Sequence, residues 1–262
     1  MLIVAASMGA ELAGLRREIA EFQASKGIEF QVEFHLLGVG PERSGASMAK
    51  LLENFGPGAG RGANKKVDGV LLLGVAGAVA PELETGSLLL AGRYALDVSG
   101  SQPEATPLLE PAAEMRKQAE LAATELGMPI NQGASLTVDR LVGQPKERQQ
   151  LREKYNVESV NMEDYTVAEA AAKAQVPFLS VRVVLDTAGQ KLPGYLEGLS
   201  RSKINLLTKV LVMPWRIPTL WRLKNQLTLC QAVITGFGMA YLKLEVERTK
   251  SAQAQAASRA LY

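Results

Sequence analysis

The stretch Val70-Leu-Leu-Leu-Gly-Val-Ala-Gly77 indicates the fold class of this chain. Four consecutive apolar residues that end in glycine are typical of a strand buried on both faces of a parallel sheet. Similar runs occur at residues 2–6, 88–91 and 178–185, and helical patterns occur at residues 9–22, 44–55, 111–126, 146–155 and 163–174. Alternating strands and helices predict an α/β domain with a mostly parallel sheet, whose functional residues gather at the carboxyl ends of the strands.

The composition narrows the chemistry that the chain can perform. Its 262 residues are 47% apolar and 21% charged, which is typical of a soluble globular protein. One cysteine and one histidine exclude an intramolecular disulfide, a Cys/His zinc site and a two-histidine metal centre. We therefore expect no metal or organic cofactor, and catalysis by carboxylates, hydroxyls and backbone amides. A net charge of +2 argues against nucleic acid as a partner.

The N-terminus carries no basic segment before its first acidic residue, Glu11, so it does not have the pattern of a secretory signal. Without a signal or paired cysteines, we expect a cytoplasmic protein. The uncharged stretch at 225–242 contains several polar residues and falls short of a confident membrane span.

The composition changes after residue 193. Between residues 198 and 244 there is no Asp or Glu, whereas both tryptophans, Trp215 and Trp221, and seven basic residues fall there. We predict a domain at 1–192 and a basic helical appendage at 193–262. The apolar and basic residues at 201–224 are typical of a helix at an anionic membrane surface, here the inner membrane surface. Packing on the domain or on a second subunit would explain the same pattern equally well.

Three carboxylates stand where predicted strands give way to helices or loops: Glu11, Glu163 and Asp186. A carboxyl group at the end of a buried strand is partly desolvated, which raises its pKa and allows it to donate a proton. Acidic residues at such positions also cap helices and favour the helix dipole. Spacing alone leaves both roles open.

Three ordered motifs carry a family resemblance. Gly74-Val-Ala-Gly-Ala-Val-Ala-Pro-Glu-Leu-Glu-Thr-Gly86 resembles the glycine-rich segment of the purine nucleoside phosphorylase and methylthioadenosine/S-adenosylhomocysteine nucleosidase superfamily. Val160-Asn-Met-Glu-Asp164 resembles its ribose motif, and Phe178-Leu-Ser-Val-Arg-Val-Val-Leu-Asp-Thr-Ala188 resembles its strand bearing the catalytic acid. The resemblance covers about residues 1 to 190. It implies a three-layer α/β/α domain with a central mixed, mostly parallel sheet, cleavage of a purine nucleoside, and a homo-oligomer.

A second resemblance concerns the tail. Met213-Pro-Trp-Arg-Ile-Pro-Thr-Leu-Trp-Arg-Leu223, together with Gly38-Val-Gly-Pro-Glu-Arg43, is similar to stretches of the hopanoid-associated phosphorylase-like proteins. Those proteins are associated with removing adenine from adenosylhopane. The resemblance implies a 5′-modified, lipid-linked adenosine as the substrate. A soluble methylthioadenosine/S-adenosylhomocysteine nucleosidase is the alternative.

The superfamily resemblance also implies roles for individual residues. Asp186 is expected to protonate or hydrogen-bond N7 of the leaving purine, Glu163 to accept hydrogen bonds from the ribose hydroxyls, and Glu11 to activate the attacking water. The other residues expected to contact the nucleoside are Met8, Ala76, Gly77, Val142 and Met162.

Some positions depart from the family pattern and remove or crowd a polar contact. Ala76 stands where a Ser or Thr is common, Leu185 replaces the Ser before the acid, and Asp164 replaces a small residue after the ribose-binding Glu. The aromatic residue that often stacks on the base falls near Leu141 and Val142, so base binding would rely on aliphatic contact. These departures leave open a non-catalytic protein that binds nucleosides or a membrane surface.

Water and phosphate are both possible nucleophiles. Phosphorolysis requires a cationic anion site, which Arg43 or Arg93 would supply, with phosphate as co-substrate. Glu11 would repel phosphate, so the residues favour hydrolysis.

Overall fold

The computed structural model describes residues 1–27, 30–55, 66–97, 107–193 and 217–259, with the side chains of 217–218 and 252–259 left out. The strands in these ranges are β1 (Leu2–Ala6), β2 (Val32–Leu36), β3 (Gly69–Ala78), β4 (Leu88–Leu96), β5 (Ile130–Thr137), β6 (Ser159–Asn161) and β7 (Phe178–Asp186). The helices are α1 (Gly9–Lys26), α2 (Pro41–Glu53), α3 (Ala113–Glu125), α4 (Pro145–Tyr155), α5 (Asp164–Lys173) and α6 (Ile217–Arg259).

The strands form one mixed sheet in the order β2-β1-β3-β6-β5-β4-β7, and β7 also pairs with β3. The pairings of β1 with β2 and β3, of β3 with β7, and of β5 with β4 and β6 are parallel. Only two of the pairings between these strands, β3 with β6 and β4 with β7, are antiparallel. Because β3 reaches β7 both directly and through β6, β5 and β4, these five strands close a ring. The predicted mixed, mostly parallel sheet is confirmed.

Helices cover both faces of the sheet. The buried side chains of α1, α3 and α6 share one hydrophobic core with Leu71 and Leu73 of β3. The buried side chains of α2 and α5 share a second core with Val70 and Leu72. Successive side chains of a strand point to opposite faces, so the continuous apolar run of β3 supplies both cores. The result is the expected three-layer arrangement.

The C-terminal helix is packed into the domain. Cys230, Ile234, Phe237 and Tyr241 are almost fully buried in the core shared with α1 and β7. Among the described residues, the helical stretch Thr219–Ser251 is long and apolar enough to cross a membrane, but half of its most apolar window is buried inside the chain. A core helix of a soluble protein has the same properties. Length and composition therefore do not make α6 a membrane span.

Some predictions fall on parts of the chain that are not described. Residues 194–216 include most of the predicted membrane-surface helix at 201–224 and the first four residues of the tail motif at 213–223. The division of the chain at residue 193 therefore stays a prediction. The described helix beyond it, α6, packs on the domain.

The strands β5 and β6 have no sequence pattern that predicts them. The β5 sequence, Ile-Asn-Gln-Gly-Ala-Ser-Leu-Thr, has no apolar run. Its Ser135 and Thr137 are nevertheless fully buried, because they hydrogen-bond buried polar side chains near the start of α5. A strand that buries hydroxyl groups against polar partners does not show the apolar pattern on which the prediction relies.

Candidate active site

A cavity of about 240 Å³ opens where β1, β3, β6 and β7 end and where the chain leaves β5. The carboxyl ends of parallel strands meet at one edge of a sheet, so residues distant in sequence come together there. Eight residues predicted for the site line this cavity: Met8, Glu11, Ala76, Gly77, Val142, Met162, Glu163 and Asp186.

Glu11 is fixed at the start of α1. Its Oε2 accepts a hydrogen bond from the backbone N–H of Met8 at 2.8 Å, and its Oε1 accepts one from the N–H of Val75 at 3.1 Å. Burial raises the pKa of Glu11, and the nearby charge of Arg182 opposes this rise. A buried carboxylate with a raised pKa is a stronger proton acceptor than an exposed one, so Glu11 has the properties of a general base.

Glu163 is held in the cavity wall through both of its oxygens. Oε2 accepts a hydrogen bond from Nη2 of Arg182 at 3.3 Å, and Oε1 accepts one from the N–H of Gly40 at 3.3 Å. Gly40 has a φ of 101° and directly precedes α2, so the turn that presents this N–H requires glycine. The fixed carboxylate can accept hydrogen bonds from hydroxyl groups of a ligand.

Arg182 lies beneath Glu163 and contacts a second carboxylate, Asp164. Nε and Nη2 of Arg182 donate to Oδ1 of Asp164 at 2.8 and 2.6 Å. Three uncharged side chains also donate to Asp164: the hydroxyl groups of Ser135 and Ser180 and the amide of Asn161. Asp164 is not among the residues that line the cavity. It supports the site from below rather than crowding it.

Gly74 is required by the close approach of two side chains. A Cβ atom at this position would overlap with Nη1 of Arg182 and would lie 2.9 Å from Oε1 of Glu11. Glycine at this position therefore leaves room for the guanidinium group of Arg182 and the carboxylate of Glu11 next to β3. The glycine-rich motif is explained here by packing of charged side chains.

Asp186, at the end of β7, pairs with a buried arginine from α4. Nη2 of Arg148 forms an ion pair with Oδ2 of Asp186, and both residues are almost fully buried. Burial raises the pKa of Asp186, while the charge of Arg148 opposes the rise. A carboxyl group with a raised pKa can hold a proton for donation, as a general acid must.

The charges around the cavity do not balance. Within the described part of the chain, four buried carboxylates face two buried guanidinium groups: Glu11, Glu163, Asp164 and Asp186 against Arg148 and Arg182. With Asp186 protonated, three ionised carboxylates against two guanidinium groups still leave these buried groups with one net negative charge. Such a site would stabilise positive charge that develops on a bound ligand.

Aliphatic side chains form the wall near Asp186. Val138, Leu141, Val142 and Val160 line this part, and none of the described lining residues is aromatic. Leu185, the residue before the acid, also lines the cavity. A planar base would therefore be held here by aliphatic packing and not by an aromatic stack.

The predicted anion-binding arginine does not reach the cavity. Arg43 is exposed in the first turn of α2, next to Gly38, and it is not among the lining residues. Arg93 donates to the carbonyl of Asn156 and also lies outside the lining. Among the described residues, no group of His, Cys, Asp and Glu is placed to hold a metal ion.

Neither buried arginine, Arg148 or Arg182, was predicted from the sequence to belong to the site. Arg182 lies in the quoted β7 motif, and a charged residue inside an apolar strand is itself a signal for a buried ion pair. Arg148 lies in a helix rich in charged residues, and the sequence offers no sign that it is buried while Arg152 is partly exposed. Arg148 and Arg152 differ in burial only because of the way in which α4 packs at the edge of the sheet.

Comparison with solved structures identifies the fold as the α/β fold of nucleosidases. The 5′-methylthioadenosine/S-adenosyl homocysteine nucleosidase of Campylobacter jejuni matches with a TM-score of 0.68 at 18% identity, covering 94% of this chain and 98% of that one. The Neisseria meningitidis 5′-methylthioadenosine/S-adenosylhomocysteine nucleosidase, in complex with methylthio-immucillin-A, matches with a TM-score of 0.66 at 18% identity, covering 92% and 97%. The family follows from the sequence: the phosphorylase superfamily model matches residues 3–201, and the chain belongs to this superfamily.

Two curated relatives are similar in sequence. The aminodeoxyfutalosine nucleosidase of Campylobacter jejuni is 29% identical over 162 residues, which is 58% of this chain and 66% of that protein. The aminodeoxyfutalosine nucleosidase of Helicobacter pylori is 27% identical over 134 residues, which is 48% of this chain and 58% of that protein. The matched segments span less than two thirds of the length of either relative.

Proposed function

We propose that this chain hydrolyses the N-glycosidic bond of a 5′-modified adenosine and releases adenine. The observation that carries the proposal is that Glu11, Glu163 and Asp186, from three separate parts of the chain, line one cavity. Membership of the phosphorylase superfamily supports it. The names of the relatives, which are nucleosidases, support it as well.

The proposed reaction uses each carboxylate once. The N9–C1′ bond breaks, its electron pair leaves with the purine, and positive charge develops on the ribose. Asp186 donates a proton to N7 of the purine, while Glu11 takes a proton from the water whose oxygen bonds to C1′. Glu163 accepts hydrogen bonds from the ribose hydroxyls, and Met162 packs on the sugar. The products are adenine and a ribose derivative, and solvent returns Asp186 and Glu11 to their starting protonation states.

The excess negative charge of the site suits this reaction. Carboxylates fixed before the reaction stabilise a ribosyl cation without reorganising, which is where much of the rate gain of such sites arises. The same charge opposes phosphate. Both lining arginines are also engaged, Arg148 with Asp186 and Arg140 with Glu147. We therefore propose water as the nucleophile, with no cofactor and no phosphate co-substrate.

The 5′ substituent is proposed to be apolar. Met8 lines the cavity yet remains 40% exposed, so it stands at the mouth. Leu36, which is 52% exposed, lies against the adjacent Gly9. Exposed apolar side chains at a cavity mouth fit an apolar extension of the ligand. A lipid-linked adenosine, with adenosylhopane as the named candidate from hopanoid metabolism, meets this requirement.

We also propose a cellular setting for the enzyme. A lipid-linked substrate must be reached at a bilayer, so the basic, tryptophan-containing segment 201–224 would hold a cytoplasmic protein at the inner membrane surface. Trp221, which is 65% exposed at the start of α6, would contribute to that contact. The active form would be a homo-oligomer.

The test is adenine release by the wild type and by Asp186→Asn. The substrates are methylthioadenosine, S-adenosylhomocysteine, aminodeoxyfutalosine and a lipid-linked adenosine in detergent, each with and without phosphate. We expect release that does not need phosphate, is fastest with the lipid-linked substrate, and falls by about 10² to 10⁴ in Asp186→Asn. Equal release by the variant would exclude Asp186 as the acid. Binding without turnover of any substrate would make the chain a nucleoside-binding protein.

A further inference from the structure

Arg148 is a buried cation that takes no part in the reaction proposed above. It lies on α4, is 1% exposed, and each of its three side-chain nitrogens donates to a backbone carbonyl. Nε and Nη2 both donate to the carbonyl of Val142, at 3.0 and 2.9 Å. Nη1 donates to the carbonyls of Ala78 and Thr187, at 3.2 and 2.7 Å, and Nη2 also pairs with Asp186.

The three carbonyl acceptors belong to three separate segments of the cavity. Val142 is in the connection from β5 to α4, Ala78 ends β3, and Thr187 follows β7. The first two segments supply lining residues at the part of the cavity near Asp186, and the third directly follows Asp186 itself. One planar guanidinium group therefore connects the segments that would surround the base. A rigid fork of donors holds such partners more precisely than a flexible ammonium group could.

The ion pair also orients the carboxyl group. Oδ2 of Asp186 is fully buried on the side of Arg148. Gly77 lies against the same pair, since a Cβ atom there would be 3.4 Å from Oδ2 and 3.7 Å from Nη2 of Arg148. With Oδ2 on the arginine, Oδ1 is the oxygen that remains for a ligand.

We infer that Arg148 is a positioning residue, which aims Oδ1 of Asp186 at the purine and joins the three segments that surround the base. The inference rests on the proposed function. It adds a determinant of base binding and of proton donation: although Arg148 lines the cavity, its side chain is engaged by Asp186 and the backbone carbonyls and acts through them.

The inference predicts an effect on the proton of Asp186. Arg148 from α4 and the more distant Arg222 from α6 favour the ionised form of Asp186. The thiol of Cys230 from α6 lies near Asp186. The other charged or titratable side chains that line the same cavity are Glu11, Glu163 and Arg140. Burial outweighs the two arginines and raises the pKa of Asp186. A general acid works while protonated, so turnover falls as pH rises through this pKa. Removing the charge of Arg148 must move that fall to higher pH.

The experiment measures kcat and KM for adenine release between pH 5 and 10. Arg148→Gln removes the charge and most donors, and we expect the alkaline fall in kcat to move up by about one pH unit or more. Arg148→Lys keeps the charge, so the fall should stay in place while kcat drops by about 10² through loss of positioning. The matched control is Arg152→Gln on the same helix, where the arginine is partly exposed and pairs with Glu82 at 3.3 Å. It should behave as the wild type.

Two results would overturn the inference. The first is an unmoved alkaline fall in Arg148→Gln. The second, which decides the matter if Arg148→Gln does not fold, is a wild-type kcat and KM in Arg148→Lys.

A second measurement does not need turnover and separates this inference from the proposed function. The difference in unfolding free energy between wild type and Asp186→Asn is measured against pH, with and without Arg148→Gln. Because the folded-state pKa of Asp186 is raised, the contribution of Asp186 to the free energy of unfolding is fully present at low pH. It is lost as the pH rises through the folded-state pKa. With Arg148→Gln the loss should start at the same pH, because the pKa of the unfolded chain is unchanged, but it should continue to higher pH and be larger. Identical curves would overturn the inference even if no nucleoside is cleaved, whereas a shifted curve without any adenine release would overturn only the proposed function.

Discussion

A single buried guanidinium group, that of Arg182, joins Glu163 in the cavity wall to Asp164 beneath it. Its distances to Asp164 are 2.8 and 2.6 Å, and its distance to Glu163 is 3.3 Å. The carboxylate proposed to bind ribose is thus held in place through an arginine by a second carboxylate outside the cavity lining. Asp164, which stands where the family pattern has a small residue, therefore helps to hold Arg182 and Glu163 in place.

Asp164→Ala should therefore destabilise the protein. The substitution leaves Arg182 buried without its main partner, and breaking one side of a buried ion pair costs about 3 to 5 kcal/mol. Urea unfolding at pH 7 measures the loss of free energy. Asp139→Ala, at an exposed carboxylate beside the cavity, is the control and should cost less than about 1 kcal/mol. Similar values for both variants would show that the buried pair does not contribute as we argue.

Gly74→Ala should lower activity more than stability alone explains. The added methyl group would overlap with Nη1 of Arg182 and press on Oε1 of Glu11, so both must move. Since Glu11 is proposed to activate water, a displacement of this size should reduce kcat by about 10². Gly236→Ala is the matched control, because open space surrounds that position in α6, and Ala should stabilise the helix by about 1 kcal/mol. A kcat near the wild-type value in Gly74→Ala would contradict the proposed role of Glu11.

The sequence was sufficient to predict the apolar strands, because buried strands have a strong pattern. Strand ends also pointed to Glu11, Glu163 and Asp186, which line one cavity, but spacing left their roles open and only the family resemblance assigned them. It did not predict β5, whose Ser135 and Thr137 are buried as hydrogen-bonding groups. It also did not reveal that Arg148 is buried. The burial of these polar side chains depends on partners from distant parts of the chain, so a local sequence pattern cannot predict it.

Glu11→Gln should abolish turnover while nucleoside binding persists. The amide cannot accept a proton from water, so kcat should fall by about 10² to 10⁴. In the wild type, a base works while ionised, and burial raises the pKa of Glu11, so kcat should rise with pH through a value above about 4.3, the usual pKa of a glutamate. Stopped assays from pH 4 upward measure this limb, and calorimetry with an uncleavable adenosine analogue measures binding. An acid limb that persists unchanged in Glu11→Gln would assign it to another group.

Met8→Ala should separate the recognition of the 5′ substituent from the chemistry. The side chain of Met8 stands at the cavity mouth, whereas the N–H that anchors Glu11 belongs to its backbone and survives the substitution. Shortening a half-exposed methionine removes about 1 kcal/mol of apolar contact, which corresponds to about a fivefold rise in KM for a lipid-linked adenosine. Adenosine without a 5′ extension should show an unchanged KM, and kcat should stay constant for both substrates. Leu121→Ala, at an exposed leucine of α3 outside the cavity lining, should alter neither value. An equal rise in KM for both substrates would mean that Met8 contacts the nucleoside itself, and the 5′ group would then have to leave the cavity by another path.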